Sequence, residues 1–175
     1  VGSEMCIRDS TGAQWFAPVA DGLCANLGVG GVDEDTMVVS AATSGAMRVL
    51  LHHMPQQIPA GLWCYRIDSS RCLLGGALND VGRAVSWLES TLGLDIETLD
   101  DIAAAPVSTE TPGVLPFLTG ERSTGWAGSA RAVFSDVSAT TDAPAMARGM
   151  LEGIAGSYRR VSDELESAST GVERI

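Results

Sequence analysis

A short polar turn between two apolar segments constrains this chain more than any other feature of its sequence. Residues 37–42 have the composition of a buried strand, Thr43, Ser44 and Gly45 form a tight turn, and residues 46–51 have the composition of the returning strand. Turns of this kind are usually simple connections. The backbone N–H groups and two hydroxyls of this turn are also the donors that a phosphate needs. The sequence therefore predicts a β-hairpin and leaves both roles of its tip open.

An acidic residue precedes the hairpin. Asp21 lies between small residues at the start of a short helix-like segment, residues 22–27. This position predicts that the carboxylate is held near a helix N-terminus, where such groups usually cap the helix. Residues 15–19 are predicted to form a short strand that leads to Asp21.

The middle of the chain continues with a second hairpin and a helix. Residues 61–67 and 71–77 read as strands joined by a turn of Asp68, Ser69 and Ser70, so the sheet is expected to begin antiparallel. Asn79 or Asp80 is predicted to cap the helix that follows, whose apolar residues recur at helical spacing: Val81, Ala84, Val85, Leu88 and Leu92.

In the last third of the chain, the sequence predicts two more helices and two short strands. An acidic helix is expected at residues 95–104, and strands are expected at residues 114–118 and 131–137. A long helix is predicted to begin near Asp142 and to end around residues 167–171, with one apolar stripe: Met146, Met150, Ile154, Tyr158, Val161 and Leu165. Residues 172–175 resemble the opening of another strand.

Composition excludes several classes of function. A formal net charge of −11 repels a nucleic acid backbone, so no nucleic acid partner is predicted. No apolar run reaches the roughly 18 residues that span a bilayer, and no membrane partner is predicted either. The four cysteines include no C-x-x-C pair and lie in apolar surroundings, which indicates buried, reduced thiols and a cytoplasmic location.

The sequence also argues against several known kinds of catalytic site. Adjacent residues His52 and His53 would point to opposite faces of a strand, so a surface turn is favoured over a metal site and no metal ligand is predicted. With these two as the only histidines, a Ser-His-Asp assembly is not credible. The absence of Walker A and protein-kinase motifs disfavours those two routes to phosphoryl transfer.

Six segments, taken together and in order, resemble one family of enzymes. From Pro18 onward they resemble the C-terminal domain of the FGGY family of carbohydrate kinases, most closely its gluconate kinase branch, and they read PVADGLCANLG, TSGAMRV, GLWCYRID, LLGGALNDVGRAVSWL, LPFLTGERSTGW and ARGMLEGIA. The resemblance implies an α/β fold of the actin-like ATPase (ribonuclease H-like) type, with a mixed sheet and flanking helices, incomplete at its C-terminal end.

The resemblance also implies a domain organisation. ATP and Mg²⁺ would bind between this domain and an N-terminal FGGY domain that the chain lacks, with a small-molecule sugar or sugar acid as substrate. Residues 1–10 have no counterpart in the family and are interpreted as a non-native leader. Residues 11–175 are interpreted as a partial, nucleotide-binding C-terminal domain, which alone is expected to be inactive.

Specific roles follow from the resemblance, residue by residue. Asp21 matches the family's catalytic base, and Thr43 with Ser44 and Gly45 would hold the β- and γ-phosphates of ATP. Gly82 and Ser86 match positions of nucleotide contacts. Because these two small residues lie four apart on one helix stripe, close helix packing remains an alternative reading.

Several positions leave questions open. The chain departs from the usual family pattern at Ala42, Ser86, Ala132 and Asp142, which indicates a divergent member. In the loop of residues 119–126, Glu121 and Arg122 either form ion pairs with each other or with neighbours, or contact the substrate.

The function predicted from the resemblance is that of an ATP-dependent carbohydrate kinase acting on a sugar or sugar-acid hydroxyl, preferably that of gluconate. A xylulokinase-like or other FGGY sugar kinase is the alternative within the class. A non-catalytic truncated fragment or interaction module is the alternative from another class, and it predicts an exposed apolar cleft. The oligomeric state is left open.

Overall fold

The fold is an α/β domain, seen in a computed structural model that describes Gln14 and residues 18–168. Its helices are α1 (Asp21–Gly28), α2 (Gly82–Leu92), α3 (Ile96–Ala104) and α4 (Ala143–Ala168). Its strands are β1 (Met37–Ala41), β2 (Gly45–Leu51), β3 (Trp63–Arg66), β4 (Cys72–Leu78), β5 (Gly113–Leu115) and β6 (Val133–Ser135). The interpreted leader, most of the strand predicted at residues 15–19 and the strand predicted at residues 172–175 lie outside the described residues.

The main sheet consists of the two predicted hairpins side by side. Its strand order is β1-β2-β4-β3, and each neighbouring pair is antiparallel. In the first hairpin Ala41 lies opposite Gly45, so the tip consists of Ala42, Thr43 and Ser44. Strands β5 and β6 form a separate antiparallel pair, and both are shorter than the sequence predicted. The predicted α/β fold with flanking helices is confirmed.

One face of the main sheet carries the large core. Because side chains alternate along a strand, the residues of β2 and β4 that share this face pack together against α2 and α4. From the sheet they are Met47, Val49, Leu51, Cys72, Leu74 and Leu78. The predicted stripe of α4 supplies Met150, Ile154, Val161 and Leu165 in buried positions, with Tyr158 partly buried. Each such side chain contributes roughly 1.5–3 kcal/mol on burial.

The opposite face of the sheet is covered only in part. Leu50 and Leu73 pack with Leu23 of α1 in a small cluster that Trp63 and Ile67 border. Towards the hairpin tip the same face carries small or polar residues, including Ala46 and Ala77, which lie opposite each other. A cleft lies over this half of the face, and both alanines are themselves buried beneath it.

The predicted cap of α2 is wrong. The residue before the helix is Val81, and no side chain caps it. Instead, the carbonyl of Thr43 accepts hydrogen bonds from the N–H groups of Val81 and Arg83, at 3.3 and 3.2 Å, and the carbonyl of Ala42 accepts one from Gly82 at 2.7 Å. Backbone carbonyls of the hairpin tip therefore satisfy the helix N–H groups that a capping side chain would otherwise satisfy.

Asp80 has a different role from the one predicted. Its carboxylate is buried and accepts hydrogen bonds from the backbone N–H and the hydroxyl of Thr119, both at 2.8 Å. It also pairs with Arg83 at 3.1 Å. Asp80 thus joins the start of α2 to the loop of residues 119–126.

Other local predictions hold. Asp68 accepts hydrogen bonds from the N–H groups of Ser70 and Arg71 in the predicted turn of the second hairpin, at 2.9 and 2.8 Å, and these bonds hold its pKa well below the usual range. Asp95 caps α3 by accepting from Thr98, which lowers the pKa of Asp95. Asp142 accepts from the N–H of Ala145 at 2.9 Å, at the predicted start of α4.

The cysteines follow the prediction only in part. Cys64 is half-buried and Cys72 is buried, and both are free thiols. Burial raises the pKa of Cys72 to about 12. Cys24 is exposed on α1, so its predicted burial is wrong. In residues 18–168 no helix is long and apolar enough to cross a membrane.

Candidate functional site

A cleft of about 280 Å³ lies on the partly covered face of the main sheet, towards the hairpin tip. It is bounded by the start of α1, the tip of the first hairpin and the edge strand β3, and Ala46 and Ala77 lie on the sheet beneath it. The other lining residues are Ala20, Asp21, Gly22, Ser40, Ala42, Ser44, Gly45, Arg48, Trp63, Tyr65 and Arg122. The small side chains of the two alanines leave the space that the cleft occupies.

Asp21 is the one carboxylate among the described residues that line the cleft. It is the first residue of α1, so its predicted position at a helix N-terminus is confirmed. Its expected capping role is wrong, because the side chain makes no capping hydrogen bond and Oδ1 accepts only from the adjacent N–H of Gly22, at 2.7 Å. The exposed carboxylate is therefore available to a ligand in the cleft.

The hairpin tip reaches the same cleft. Ser44 and Gly45 line it together with Asp21, while Thr43 lies exposed at the tip just beyond the lining residues. The N–H of Ala42 donates to the carbonyl of Ser44 at 3.0 Å, which closes the turn. Within residues 18–168 neither the hydroxyl of Thr43 nor that of Ser44 has a hydrogen-bond partner. Asp21 and two of the three residues of the predicted turn therefore border one cleft.

On the covered face of the sheet, the side chains packed around Gly45 leave no room for a Cβ at this position. A Cβ at this position would collide with the hydroxyl of Tyr158 and would lie 2.7 Å from Cγ2 of Val81. The Tyr158 hydroxyl donates to the carbonyl of Ser40 at 2.8 Å, and burial raises the pKa of Tyr158. Tyr158 therefore supports the hairpin from α4.

Gly82 and Ser86 are not among the lining residues of this cleft. A Cβ on Gly82 would lie 2.7 Å from the carbonyl oxygen of Ala42, so the alternative of close packing is confirmed for this glycine. Ser86 lies one turn further along α2 and is exposed. Their predicted contacts with a nucleotide stay predictions.

One arginine in the cleft was not assigned to it from the sequence. Arg48 lies on β2 on the same face as Ala46, and its Nη1 donates to the Ser40 hydroxyl at 3.2 Å. Its guanidinium lies against α1, since a Cβ on Gly22 would be 3.2 Å from Nε of Arg48. The signal in the sequence was a single charged residue inside the apolar segment 46–51.

The second arginine that lines the cleft, Arg122, is held there by the hydrogen bonds of the next residue, Ser123. The N–H of Ser123 donates a hydrogen bond to the carbonyl of Ala77, and the N–H of Ala77 donates one to the hydroxyl of Ser123, both at 2.9 Å. Glu121 pairs with Arg160 at 3.1 Å, so the predicted alternative of a neighbouring partner is correct for Glu121. Arg122 lines the cleft instead.

An aromatic pair forms the wall at β3. The rings of Trp63 and Tyr65 stack with their centroids 4.4 Å apart. The indole of Trp63 extends over Gly75, where a Cβ would lie 2.5 Å from its Cη2 atom. Trp63, Gly75 and Arg48 occupy one row across the sheet, so the indole and the guanidinium lie on the same face.

The histidines lie away from the cleft. His52 Nε2 is 3.6 Å from Asp33 Oδ1, and His53 Nδ1 is 3.1 Å from Glu34 Oε1. Both are exposed, as expected for a surface turn. In the described part of the chain no three His, Cys, Asp or Glu side chains converge as metal ligands.

Comparison with known proteins now decides the family. A profile of the C-terminal domain of the FGGY family of carbohydrate kinases matches residues 37–175. The chain belongs to this family. The matched range contains the β1–β2 hairpin, α2 and α4, and it begins after Asp21 and α1.

Relatives of known name include two kinds of sugar kinase. The chain is 27% identical over 148 residues to a gluconokinase of Bacillus subtilis (strain 168), a match that covers 77% of this chain and 29% of the relative. It is also 27% identical over 164 residues to a xylulose kinase of Lactococcus lactis subsp. lactis (strain IL1403), with 86% of this chain and 31% of the relative covered. The chain therefore spans about a third of the length of these relatives.

Solved structures agree with this assignment. A ligand-bound xylulose kinase from Lactobacillus acidophilus matches with a TM-score of 0.77 and 29% identity, over 86% of this chain and 31% of that one. A gluconate kinase from the same organism matches with a TM-score of 0.75 and 30% identity, over 86% of this chain and 32% of that one. The predicted actin-like ATPase (ribonuclease H-like) fold of an FGGY C-terminal domain is confirmed.

Proposed function

We propose that this chain is the nucleotide-binding part of an ATP-dependent carbohydrate kinase whose substrate is gluconate. One observation carries the proposal: the Asp21 carboxylate and the hairpin tip at Ser44 and Gly45 border the same cleft. Transfer of a phosphoryl group to a sugar hydroxyl needs a base for the proton and a dense set of donors for the phosphates. The cleft brings these two requirements together.

Asp21 is proposed as the base. Its carboxylate is exposed and bonded only to the N–H of the next residue, so it retains acceptor capacity for a substrate hydroxyl. In the reaction it would take the hydroxyl proton as the hydroxyl oxygen bonds to the γ-phosphorus of ATP, while the bond from that phosphorus to the β–γ bridging oxygen breaks and ADP leaves. Arg122, at the far side of the tip beside Ala77, would stabilise the negative charge of the transferred group.

The hairpin tip fits the phosphates of ATP. Thr43 and Ser44 offer two hydroxyls that have no partner among residues 18–168, and the tip carries no large side chain that would block a phosphate. Bound MgATP supplies the phosphoryl group. Mg²⁺ keeps several waters and can bind mainly through the phosphates of the nucleotide, so no protein carboxylate is assigned to it. Gly82 and Ser86 on α2 are proposed to contact the remainder of the nucleotide.

The choice of gluconate rests on similarity and is the finer part of the proposal. The B. subtilis gluconokinase and the L. acidophilus gluconate kinase support it. The two xylulose kinases support a ketose at comparable identity, so a xylulokinase-like enzyme is the alternative. Because the chain spans about a third of these relatives, a further domain is proposed to close the cleft over the sugar, in a cytoplasmic enzyme.

The non-catalytic alternative predicted an exposed apolar cleft. The cleft carries one aspartate, two arginines and two exposed residues of the hairpin tip, which supports the catalytic proposal instead. Isothermal titration of MgATP into the 175-residue chain tests the catalytic hypothesis directly against the non-catalytic one. Heat of binding that disappears when Thr43 and Ser44 are both replaced by Ala would support the phosphate site.

The decisive experiment measures ADP release by the full-length kinase, meaning this chain together with the proposed additional domain. We expect turnover with D-gluconate and a loss of kcat of about 10²–10⁴-fold in Asp21→Asn, because a general base contributes about that much. Asp100→Asn, which changes an exposed carboxylate on α3, is the matched control and should leave kcat unchanged. Normal turnover in Asp21→Asn contradicts the assigned base, and no ADP release with either gluconate or xylulose contradicts the kinase proposal.

A further inference from the structure

We propose that Arg48 binds the carboxylate of the substrate, so that this cleft selects a sugar acid over a neutral sugar. The inference rests on the proposed kinase function and concerns which class of substrate the site accepts. Arg48 lines the cleft with Asp21, and its guanidinium lies against Gly22 in the first turn of α1. It therefore lies within the space where the sugar must bind.

Arg48 forms no ion pair in the described part of the chain. Within residues 18–168 the one hydrogen bond of its side chain goes to the neutral hydroxyl of Ser40. A guanidinium has five N–H donors, so most of them remain for a ligand. Arg48 is half-buried, and a partly desolvated cation without a counter-ion favours the binding of an anion.

The backbone of Arg48 and its charged group lie at different distances from the hairpin tip. The Cα of Arg48 is three residues beyond Gly45, about 10 Å along β2, but Nη1 reaches back to the hydroxyl of Ser40, which lies opposite Ala46. The guanidinium therefore contacts both Ser40 and the first turn of α1. A sugar acid in the cleft can present one hydroxyl to Asp21 and its carboxylate to Arg48, and the KM for MgATP separates this role from the binding of a phosphate.

The neighbouring aromatic wall makes this end of the cleft suitable for a carboxylate at the end of a carbon chain. The indole of Trp63 lies over Gly75 in the same row of the sheet as Arg48. An apolar surface beside a guanidinium excludes water and strengthens its interaction with an anion. The C–H faces of a sugar acid would pack on the same indole.

The test compares two substrates that differ only in charge. D-Gluconamide replaces the carboxylate of D-gluconate with a neutral amide of nearly the same shape. The full-length kinase is assayed with both, as wild type and as Arg48→Gln, Arg48→Lys and Arg66→Gln. Arg66 is an exposed arginine on β3 that does not line the cleft, so its variant is the matched control.

We expect the wild type to prefer gluconate and Arg48→Gln to lose about 10- to 100-fold in kcat/KM for gluconate, mainly through KM, as for a lost hydrogen bond to a charged group. For gluconamide the same variant should change little, so the preference disappears. Arg48→Lys should restore part of the preference, and Arg66→Gln should keep all of it. The KM for MgATP and the thermal midpoint should stay close to the wild-type values.

Other outcomes overturn the inference. An equal loss with gluconate and gluconamide, or no loss with either, would mean that Arg48 only supports the hairpin through Ser40. A wild type that phosphorylates xylulose and not gluconate would overturn the sugar-acid selection and leave the kinase proposal intact. A wild type that phosphorylates neither would overturn both. If Arg48→Gln does not fold, the wild-type ratio for gluconate over gluconamide and its change in Arg48→Lys decide the question.

Discussion

The two faces of the main sheet differ in how they are completed. The face towards α2 and α4 is filled by large aliphatic side chains such as Leu74 and Met150, both fully buried. The face towards α1 has a small cluster at Leu50 and Leu73, and beyond it two alanines and Arg48 border the cleft. The same strands thus carry a closed core on one side and a binding surface on the other, because successive residues alternate between the faces.

The difference between the faces suggests that alternate residues of one strand have different roles. On β2, Met47 and Val49 belong to the core, whereas Ala46 and Arg48 border the cleft. Substitutions at the first pair should mainly change folding, and substitutions at the second pair should mainly change binding. Three predictions test this comparison by stability measurements, from the largest expected effect to the smallest.

The largest effect is expected from a matched pair of leucines on opposite faces. Leu74→Ala should lower the free energy of unfolding by about 2–5 kcal/mol, because it leaves a cavity between the sheet and two helices. Leu50→Ala should cost less, since α1 is the only described helix that packs on its cluster and its short length lets it shift into the space. Urea denaturation of both variants measures the difference. An equal or larger loss for Leu50→Ala would contradict the contrast between the faces.

A smaller effect is expected where α2 meets the hairpin tip. Gly82→Ala should destabilise the domain by about 1–3 kcal/mol, because its Cβ would lie 2.7 Å from the carbonyl oxygen of Ala42. Gly156→Ala is the control: on α4 a Cβ at this position meets nothing within 4 Å. It should stabilise the helix by about 0.5–1 kcal/mol. Thermal unfolding of the two variants should therefore shift in opposite directions, and a shared direction would argue against close packing at Gly82.

The smallest effect concerns Tyr158, which supports the hairpin from the covered side. Tyr158→Phe removes the hydrogen bond to the Ser40 carbonyl and should cost about 0.5–1.5 kcal/mol. Because burial raises the pKa of Tyr158 above 10.0, the folded state holds this proton more tightly than the unfolded state does. Its contribution is therefore complete below pH 10 and falls as the pH rises further.

This pH dependence can be measured directly. Urea denaturation between pH 8 and pH 11 should show a loss of stability above about pH 10 in the wild type. The loss should be shallower in Tyr158→Phe, which has no such proton to release. Parallel curves for the two proteins would show that another group controls stability at high pH.

Local patterns predicted most of the fold and half of the site. The hairpin at Thr43 to Gly45, the helix at Asp21 and the stripe of α4 follow from turn composition and helical spacing, which depend on residues close in sequence. Placing Arg48 in the cleft needed the sheet register. Choosing between the two alternatives for Arg122 needed the pairing of Ser123 with Ala77, a contact across 46 residues that no local pattern contains.

The wrong prediction for Asp80 has the same cause. An acidic residue just before a helix has the composition of a cap. Its partner, however, is Thr119, 39 residues away, and the hairpin tip satisfies the helix N–H groups in its place. The close approach of Gly82 to Ala42 is likewise visible only when the two segments are seen together.

The carbonyls of Ala42 and Thr43, bonded to the first turn of α2, have a consequence for ligand binding. They fix the tip to a helix that the core already immobilises through Ala84 and Leu88. Asp80 extends the connection from α2 to Thr119 and so to the loop that contains Arg122. A ligand at the tip therefore meets groups that are ordered before it arrives, and little of its binding free energy is spent on reducing the conformational entropy of the turn.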